Sequence, residues 1–120
     1  MNITDIIPSG AELTTSDKQK FLQLLLEQLN KDLAPHVTCG EFETEISPQA
    51  LQNRAEIAIE KLWVHQYYHL SEVMYRIDLP EPILLEWLQL ESNRSRISEL
   101  TRVILRREAM KVWYRHFYQS

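Results

Sequence analysis

Glycine and cysteine are both scarce in this chain of 120 residues. Two glycines are too few for an all-β protein, which needs many tight turns, so their scarcity favours helices. The single cysteine, Cys39, cannot form an internal disulfide. The N-terminal sequence MNITDIIPSG has neither the basic region nor the long apolar run of a signal peptide. We therefore expect a protein of the reducing cytoplasm.

Long apolar runs and nucleotide-binding motifs are absent as well. No stretch approaches the roughly 18 apolar residues of a membrane span, so we expect no membrane partner. The chain lacks the glycine-rich phosphate-binding loops and the G-x-S-x-G motif of serine hydrolases. His36 lies three residues before Cys39, but no further residue stands out to orient it as a base, so a passive thiol is the simpler interpretation. We predict a protein that is not an enzyme and needs no cofactor.

The composition is that of a globular protein. Apolar residues make up 44% and charged residues 25%, and the helix formers Leu, Gln, Glu and Arg are abundant. The length corresponds to one domain, with a core that needs no disulfide or metal. We expect residues 1–15 to form a flexible N-terminal arm and residues 16–120 to form a single, mainly α-helical domain.

The spacing of apolar residues predicts a small bundle of about four helices. Their expected ranges are roughly 16–33, 48–77, 81–91 and 95–117. Ser16 and Gln19 have the spacing of a capping box, in which each side chain bonds a free backbone N–H of the other. Ser47 followed by Pro48 is a strong helix start.

The segment between the first two helices is predicted to be a loop. Ala34-Pro35 ends the first helix, because the residue before a proline is disfavoured in the α conformation. Apolar and acidic residues alternate near 42–46, so a short strand is possible there, although a lone strand needs a partner.

The predicted helix over 48–77 is apolar on two sides. Val64, Tyr68 and Tyr75 lie near the face opposite its main apolar stripe. Such a helix is buried on two sides, so it is either central in the fold or shared with a second subunit. We therefore predict a protein-interaction module that forms a homo-oligomer, with these three residues as interface candidates.

Arg107 lies close to the apolar stripe expected for the last helix. That stripe comprises Leu100, Val103, Met110, Tyr114 and Phe117. Arg107 projects about 40° from the stripe at 100° per residue, and a buried guanidinium needs a carboxylate or carbonyl partner. Arg107 either anchors an acidic partner protein, which makes it a fourth interface candidate, or pairs with an acidic residue on the long helix. We favour the internal pair.

The net charge of −4 is unevenly distributed. Residues 1–92 carry 6 basic and 15 acidic side chains, whereas residues 93–120 carry 7 basic and 2 acidic side chains. A basic end can bind anions, or it can neutralise the acidic part within the fold or across a dimer. We favour neutralisation, because a chain that is acidic overall binds nucleic acid poorly without sequence specificity.

His65 and His69 form an H-x-x-x-H pattern. On one helix the two imidazoles would share a face and could reach one metal ion, with Glu72 as a third ligand. The pattern lacks the Glu of zinc proteases after the first His, and the alternative is that both histidines bond to nearby polar side chains or water. Metal binding is therefore an alternative function and not the primary prediction.

The sequences RIDLPEPILLEWL and SRISELTRVILRRE, within residues 74–110, give a second alternative. They resemble the ribbon-helix-helix DNA-binding fold, in which a short strand that often ends in Leu-Pro precedes two helices. The resemblance implies an obligate dimer whose paired strands lie in the major groove. The residues implied to face bases are Met74, Arg76 and Asp78. Around the start of the second helix the nucleic-acid candidates are Arg94, Arg96 and Ser98, and Ser98 is implied to meet a phosphate.

The ribbon interpretation and the helix interpretation conflict over Val73 to Leu79. The ribbon requires a strand there, whereas the apolar face of the long helix continues through Ile77. We favour the helix, so the dimeric DNA-binding regulator stays an alternative to the protein-interaction module.

Overall fold

The computed structural model describes residues 13–79 and 93–117, with side chains from residue 96 onward in the second range. Within these ranges the chain forms four α-helices and one turn of 3₁₀ helix. The α-helices are α1 (Thr15–Leu33), α2 (Pro48–His65), α3 (Leu70–Ile77) and α4 (Asn93–His116), and the 3₁₀ turn is Tyr67–His69. The predicted mainly α-helical bundle is confirmed. The helix predicted at 81–91 lies outside the described residues.

Helix α1 begins one residue before the predicted cap. The side chain of Thr14 accepts a hydrogen bond of 3.1 Å from the backbone N–H of Asp17, so Thr14 is the N-cap. The predicted capping box of Ser16 and Gln19 is therefore wrong. The Gln19 amide instead exchanges two hydrogen bonds of 2.9 Å with the backbone of Ile46, which ties the end of the next loop to α1.

The loop between α1 and α2 is held by side chains and not by strand pairing. The possible strand near 42–46 does not form, and the described residues contain no strand. Asn30 of α1 accepts a hydrogen bond of 2.7 Å from the Cys39 N–H and donates one of 2.8 Å to the Gly40 carbonyl. Gly40 has φ +83°, a left-handed conformation that favours glycine.

The long helix predicted over 48–77 is in fact two helices. Helix α2 starts as predicted, with the Ser47 hydroxyl accepting from the Ala50 N–H, but it ends at His65. Gln66 leaves the helical conformation, with φ −138° and ψ 41°. Its side-chain amide donates a hydrogen bond of 2.9 Å to the His36 carbonyl. The break contains neither glycine nor proline, and the apolar pattern continues across it. The sequence pattern therefore does not reveal it.

Helix α4 packs against α1, α2 and α3. Its buried apolar residues are Ile97, Leu100, Ile104, Leu105, Ala109, Val112 and Trp113. The predicted stripe is wrong in part, since Val103 and Met110 are half-buried and Tyr114 is exposed. The true buried face includes Thr101 and Glu108, which are fully buried although a pattern of apolar residues assigns them to solvent.

All four helices contribute to one apolar core. Its fully buried side chains include Phe21, Leu25, Leu29, Leu51, Ile59, Val73, Ile77 and Leu100. Within the described part of the chain, none of the helices combines the length and apolar character that crossing a bilayer requires.

Candidate functional site

Three groups of residues outside the apolar core have features of functional sites. They are an exposed apolar surface on α2, a cluster of two histidines and a carboxylate beside α3, and a buried polar network between α1 and α4.

The exposed apolar surface lies on the side of α2 that faces away from the core. Ile57 and Val64 are seven residues apart, so they share one helical face, and they are 55% and 59% exposed. Tyr67 and Tyr68 follow in the 3₁₀ turn, where Tyr68 is 80% exposed. The Tyr67 ring is held edge-on against Trp63, with 4.6 Å between ring centroids.

The sequence analysis identified Val64 and Tyr68 in this surface but missed Ile57 and Tyr67. The signal for Ile57 was present, because it precedes Val64 by two helical turns. Tyr75, the third tyrosine predicted at an interface, is also exposed, but it lies on α3 beyond the break at Gln66.

Arg107 forms an internal ion pair in the structure. Its guanidinium donates a hydrogen bond of 2.7 Å to the Asp78 carboxylate. Asp78 ends α3 in the left-handed conformation, with φ 67°. The pair therefore joins α4 to the end of α3, and Arg107 has less freedom to bind a partner protein. The pair is internal, as we favoured, but its acidic partner is the residue after the predicted long helix and not one within it.

The cluster of two histidines and a carboxylate brings together His36, His69 and Glu72. Glu72 Oε2 lies 3.2 Å from His36 Nε2 and 3.5 Å from His69 Nδ1. The two imidazole rings are stacked, with centroids 3.9 Å apart and 20° between their planes. Burial raises the pKa of Glu72, but the hydrogen bond with His36 and the charge of Arg76 outweigh it, so the pKa is lowered overall.

His36 takes the place that the sequence analysis gave to His65. The predicted pair, His65 and His69, depended on one continuous helix, and the break at Gln66 removes that arrangement. Among the described residues, the one group of three metal-ligand side chains is His36, His69 and Glu72. The sequence offers no local signal for His36, because 33 residues separate it from His69.

The buried polar network is centred on Asp32 of α1. Its Oδ2 atom accepts hydrogen bonds of 2.9 Å from Gln28 and 3.1 Å from Lys111 Nζ. Lys111 also donates a bond of 3.0 Å to the Arg76 carbonyl and lies 3.4 Å from Glu108 Oε2. These contacts connect α1, α3 and α4.

Glu108 and Asp32 have opposite pKa shifts. Burial, reinforced by the neighbouring Asp32, raises the pKa of Glu108 to about 9. Burial also raises the pKa of Asp32, but its hydrogen bonds with Glu108, Gln28 and Lys111 outweigh that effect and lower it overall. At neutral pH Glu108 is therefore protonated, and Asp32 is ionised and paired with Lys111. Because Glu108 is fully buried and out of reach of a substrate, the network is structural.

The sequence analysis did not identify this network, although one signal was present. Asp32 lies between Leu29 and Leu33 on the buried face of α1, where an unpaired carboxylate would be costly. That position implies a cationic partner, but the sequence does not say that the partner is Lys111, which is 79 residues away.

Cys39 is a buried free thiol. Burial raises the pKa of Cys39 to about 12, although the charge of Arg54 acts in the opposite direction. The thiolate is the nucleophilic form, so this cysteine is unreactive at neutral pH. The structure supports the prediction of a passive thiol.

The residues of the nucleic-acid alternative are placed as follows. Arg76 of α3 donates hydrogen bonds to Glu72 and to the Ala34 carbonyl. Met74 is buried, Ser98 is exposed, and Arg96 is half-buried. The side chain of Arg94 lies outside the described residues.

The segment that would form the DNA-reading strand is helical from Leu70 to Ile77. Residues 80–92, which include most of the first helix and the turn that the resemblance implies, lie outside the described residues. The ribbon-helix-helix resemblance therefore stays a hypothesis.

Comparisons of the chain with protein-family models, with curated protein sequences and with solved structures gave no match. Any function proposed for the chain must therefore be argued from its own residues.

Proposed function

We propose that this chain is a protein-interaction module that self-associates through the exposed face of α2. The observation that carries the proposal is the surface formed by Ile57, Val64, Tyr67 and Tyr68. Each of these side chains is more than half exposed, and they follow one another along α2 and the 3₁₀ turn. Large apolar side chains grouped on one face are typical of binding surfaces, whereas single ones are common everywhere.

The charges on this face favour a second copy of the chain as the partner. Glu60 and Lys61 are adjacent and exposed between Ile57 and Val64, and neither forms an ion pair within the described residues. In an antiparallel pair of α2 helices with a two-fold axis between residues 60 and 61, Glu60 lies opposite Lys61 of the second copy. The same axis places Ile57 opposite Val64 of the second copy. The face is therefore complementary to itself in both charge and apolar character, as a symmetric dimer requires.

The free thiol of Cys39 is consistent with the cytoplasm as the location of the module, since structural disulfides are rare in that compartment. The proposal assigns the module no catalytic role. We expect weak association, because one helical face buries less area than a stable interface needs.

Sedimentation velocity over a range of protein concentrations, up to about 1 mM, tests the proposal. We expect reversible dimerisation of the wild-type chain. The variants Ile57→Lys and Val64→Glu should each weaken it by roughly tenfold or more, because each puts a charge opposite an apolar side chain. The double variant should recover most of the association, because the introduced lysine then lies opposite the introduced glutamate of the second copy.

Tyr75→Lys is the matched control. It introduces the same charge at an apolar side chain that is 87% exposed but lies on α3. We expect this variant to dimerise like the wild type, with folding of all variants checked by circular dichroism. A wild-type chain that stays monomeric, or a Tyr75→Lys variant as impaired as Ile57→Lys, would contradict the proposal.

A further inference from the structure

The cluster of His36, His69 and Glu72 borders the surface used in the proposed function, because the Tyr68 ring lies 4.2 Å from the His69 ring between centroids. The three residues come from three parts of the fold: the loop after α1, the 3₁₀ turn and α3. Each offers one ligand atom, and these atoms lie within 4.8 Å of one another. Two imidazole nitrogens and one carboxylate oxygen form a ligand set that zinc proteins use.

Two of the three separations between these atoms are close to those of a metal site. In a tetrahedral zinc site with ordinary bond lengths, ligand atoms lie about 3.3–3.4 Å apart. The distances from Glu72 Oε2 to the nitrogens of His36 and His69 are 3.2 Å and 3.5 Å. An ion in the plane of both imidazoles requires one ring to leave the stack. The His69 side chain has more freedom to move than the His36 side chain, because it is 30% exposed and His36 is 9% exposed.

Neighbouring side chains hold two of these ligands in place. Arg76 bonds Glu72 Oε1, which orients the carboxylate and leaves Oε2 directed toward the histidines. Gln66 bonds the His36 carbonyl at 2.9 Å and fixes the loop that carries this ligand. Contacts of this kind orient the ligands of known metal sites. The break in the helix at Gln66 thus helps to assemble the cluster.

We propose that His36, His69 and Glu72 bind a divalent transition-metal ion of the Zn²⁺ type. The ligand atoms are Nε2 of His36, Nδ1 of His69 and Oε2 of Glu72. The Glu72 side chain is 47% exposed, so solvent reaches the cluster. Mg²⁺ and Ca²⁺ are disfavoured, because they prefer sites made of oxygen ligands.

Titration of the full, untagged chain with Zn²⁺ in a calorimeter tests the site, and Co²⁺ provides an absorption spectrum that reports coordination. We expect one ion per chain, no comparable binding of Mg²⁺, and a Co²⁺ spectrum typical of four-coordination. His69→Gln and Glu72→Gln should each weaken Zn²⁺ binding by at least roughly tenfold. Both residues lie partly at the surface, so these variants should fold, which circular dichroism checks.

His65→Gln is the matched control, because it removes an exposed histidine four residues from His69 that lies outside the cluster. We expect His65→Gln to bind Zn²⁺ like the wild type. The proposal is overturned if the wild-type chain binds no Zn²⁺ at about 1 mM, which would leave the cluster a hydrogen-bonded clamp between the loop and α3. It is also overturned if His69→Gln binds as tightly as the wild type, or if His65→Gln loses as much affinity as His69→Gln.

Discussion

Replacing Glu108 by glutamine should stabilise the protein, and the gain should increase with pH. Glutamine has nearly the shape of a protonated glutamate and, like it, carries no charge. Glutamine needs no proton from solvent, however. The wild-type protein must keep Glu108 protonated in the fold, whereas the unfolded chain releases that proton.

The size of the effect follows from the pKa of Glu108, which is about 9 in the folded protein and 4.5 in the unfolded chain. Between these values the folded state binds one proton more than the unfolded chain, so raising the pH lowers the free energy of unfolding by about 1.4 kcal/mol per pH unit. The contribution of Glu108 to stability is fully present below pH 4.5 and is lost as the pH rises to about 9. Between pH 4.5 and pH 7 the protonation of Glu108 lowers the free energy of unfolding of the wild type by about 3 kcal/mol. This value is an upper limit for the stability gained by Glu108→Gln.

Urea unfolding of both proteins at pH 5, 7 and 8.5, followed by circular dichroism, measures the difference. We expect Glu108→Gln to be more stable by about 1–3 kcal/mol at pH 7, by more at pH 8.5, and by less than about 1 kcal/mol at pH 5. Every other titrating group is common to both proteins, so its contribution largely cancels.

Glu99→Gln is the matched control on the same helix. Glu99 is paired with Arg102 at the surface, so its replacement should change the stability by no more than about 1 kcal/mol. A stability difference between wild type and Glu108→Gln that does not vary with pH would refute the reasoning. So would a Glu108→Gln variant that is less stable at pH 8.5.

The polar contacts between the helices and the helix at residues 70–77 can each be tested. Lys111→Met should lower the free energy of unfolding by about 3–5 kcal/mol, because it leaves the buried Asp32 without its cation. Urea unfolding at pH 7 measures this loss, and a value below about 1 kcal/mol would contradict the prediction. Asn30→Ala removes three bonds to the loop, with Thr38, Cys39 and Gly40, so we expect a loss of about 2–3 kcal/mol by the same assay. Unchanged stability would show that these bonds do not hold the loop. Because Leu70–Ile77 is helical, we expect no binding of duplex DNA at about 50 mM salt in fluorescence anisotropy; binding that weakens steeply with salt would instead support the ribbon-helix-helix alternative.

Two local sequence rules held where the interacting residues are neighbours in the chain, whereas the capping box predicted for Ser16 and Gln19 did not form. Ser47 and Pro48 started α2 as predicted, and Ala34-Pro35 ended α1, because capping and proline geometry involve only adjacent residues. The leucine stripe of α1 is also buried as predicted. Its residues are Leu22, Leu25, Leu26, Leu29 and Leu33.

The break in the long helix was decided by tertiary structure. Gln66 ends α2 while bonded to the carbonyl of His36, which is 30 residues away, and no local residue announces it. The same break determined the candidate metal site. It separates His65 from His69 and leaves His69 and Glu72 beside His36.

The sequence by itself determined the helical class and several helix ends, because these depend on local conformation and on the spacing of apolar residues. It predicted that both apolar sides of the long helix are buried, whereas Val64 and Tyr68 are exposed in the fold. Only the tertiary structure decided which polar residues are buried. Glu108 can be placed in the core because Asp32 and Lys111 are brought beside it. A polar side chain is stable in the core only with its partners, and those partners come from distant parts of the chain.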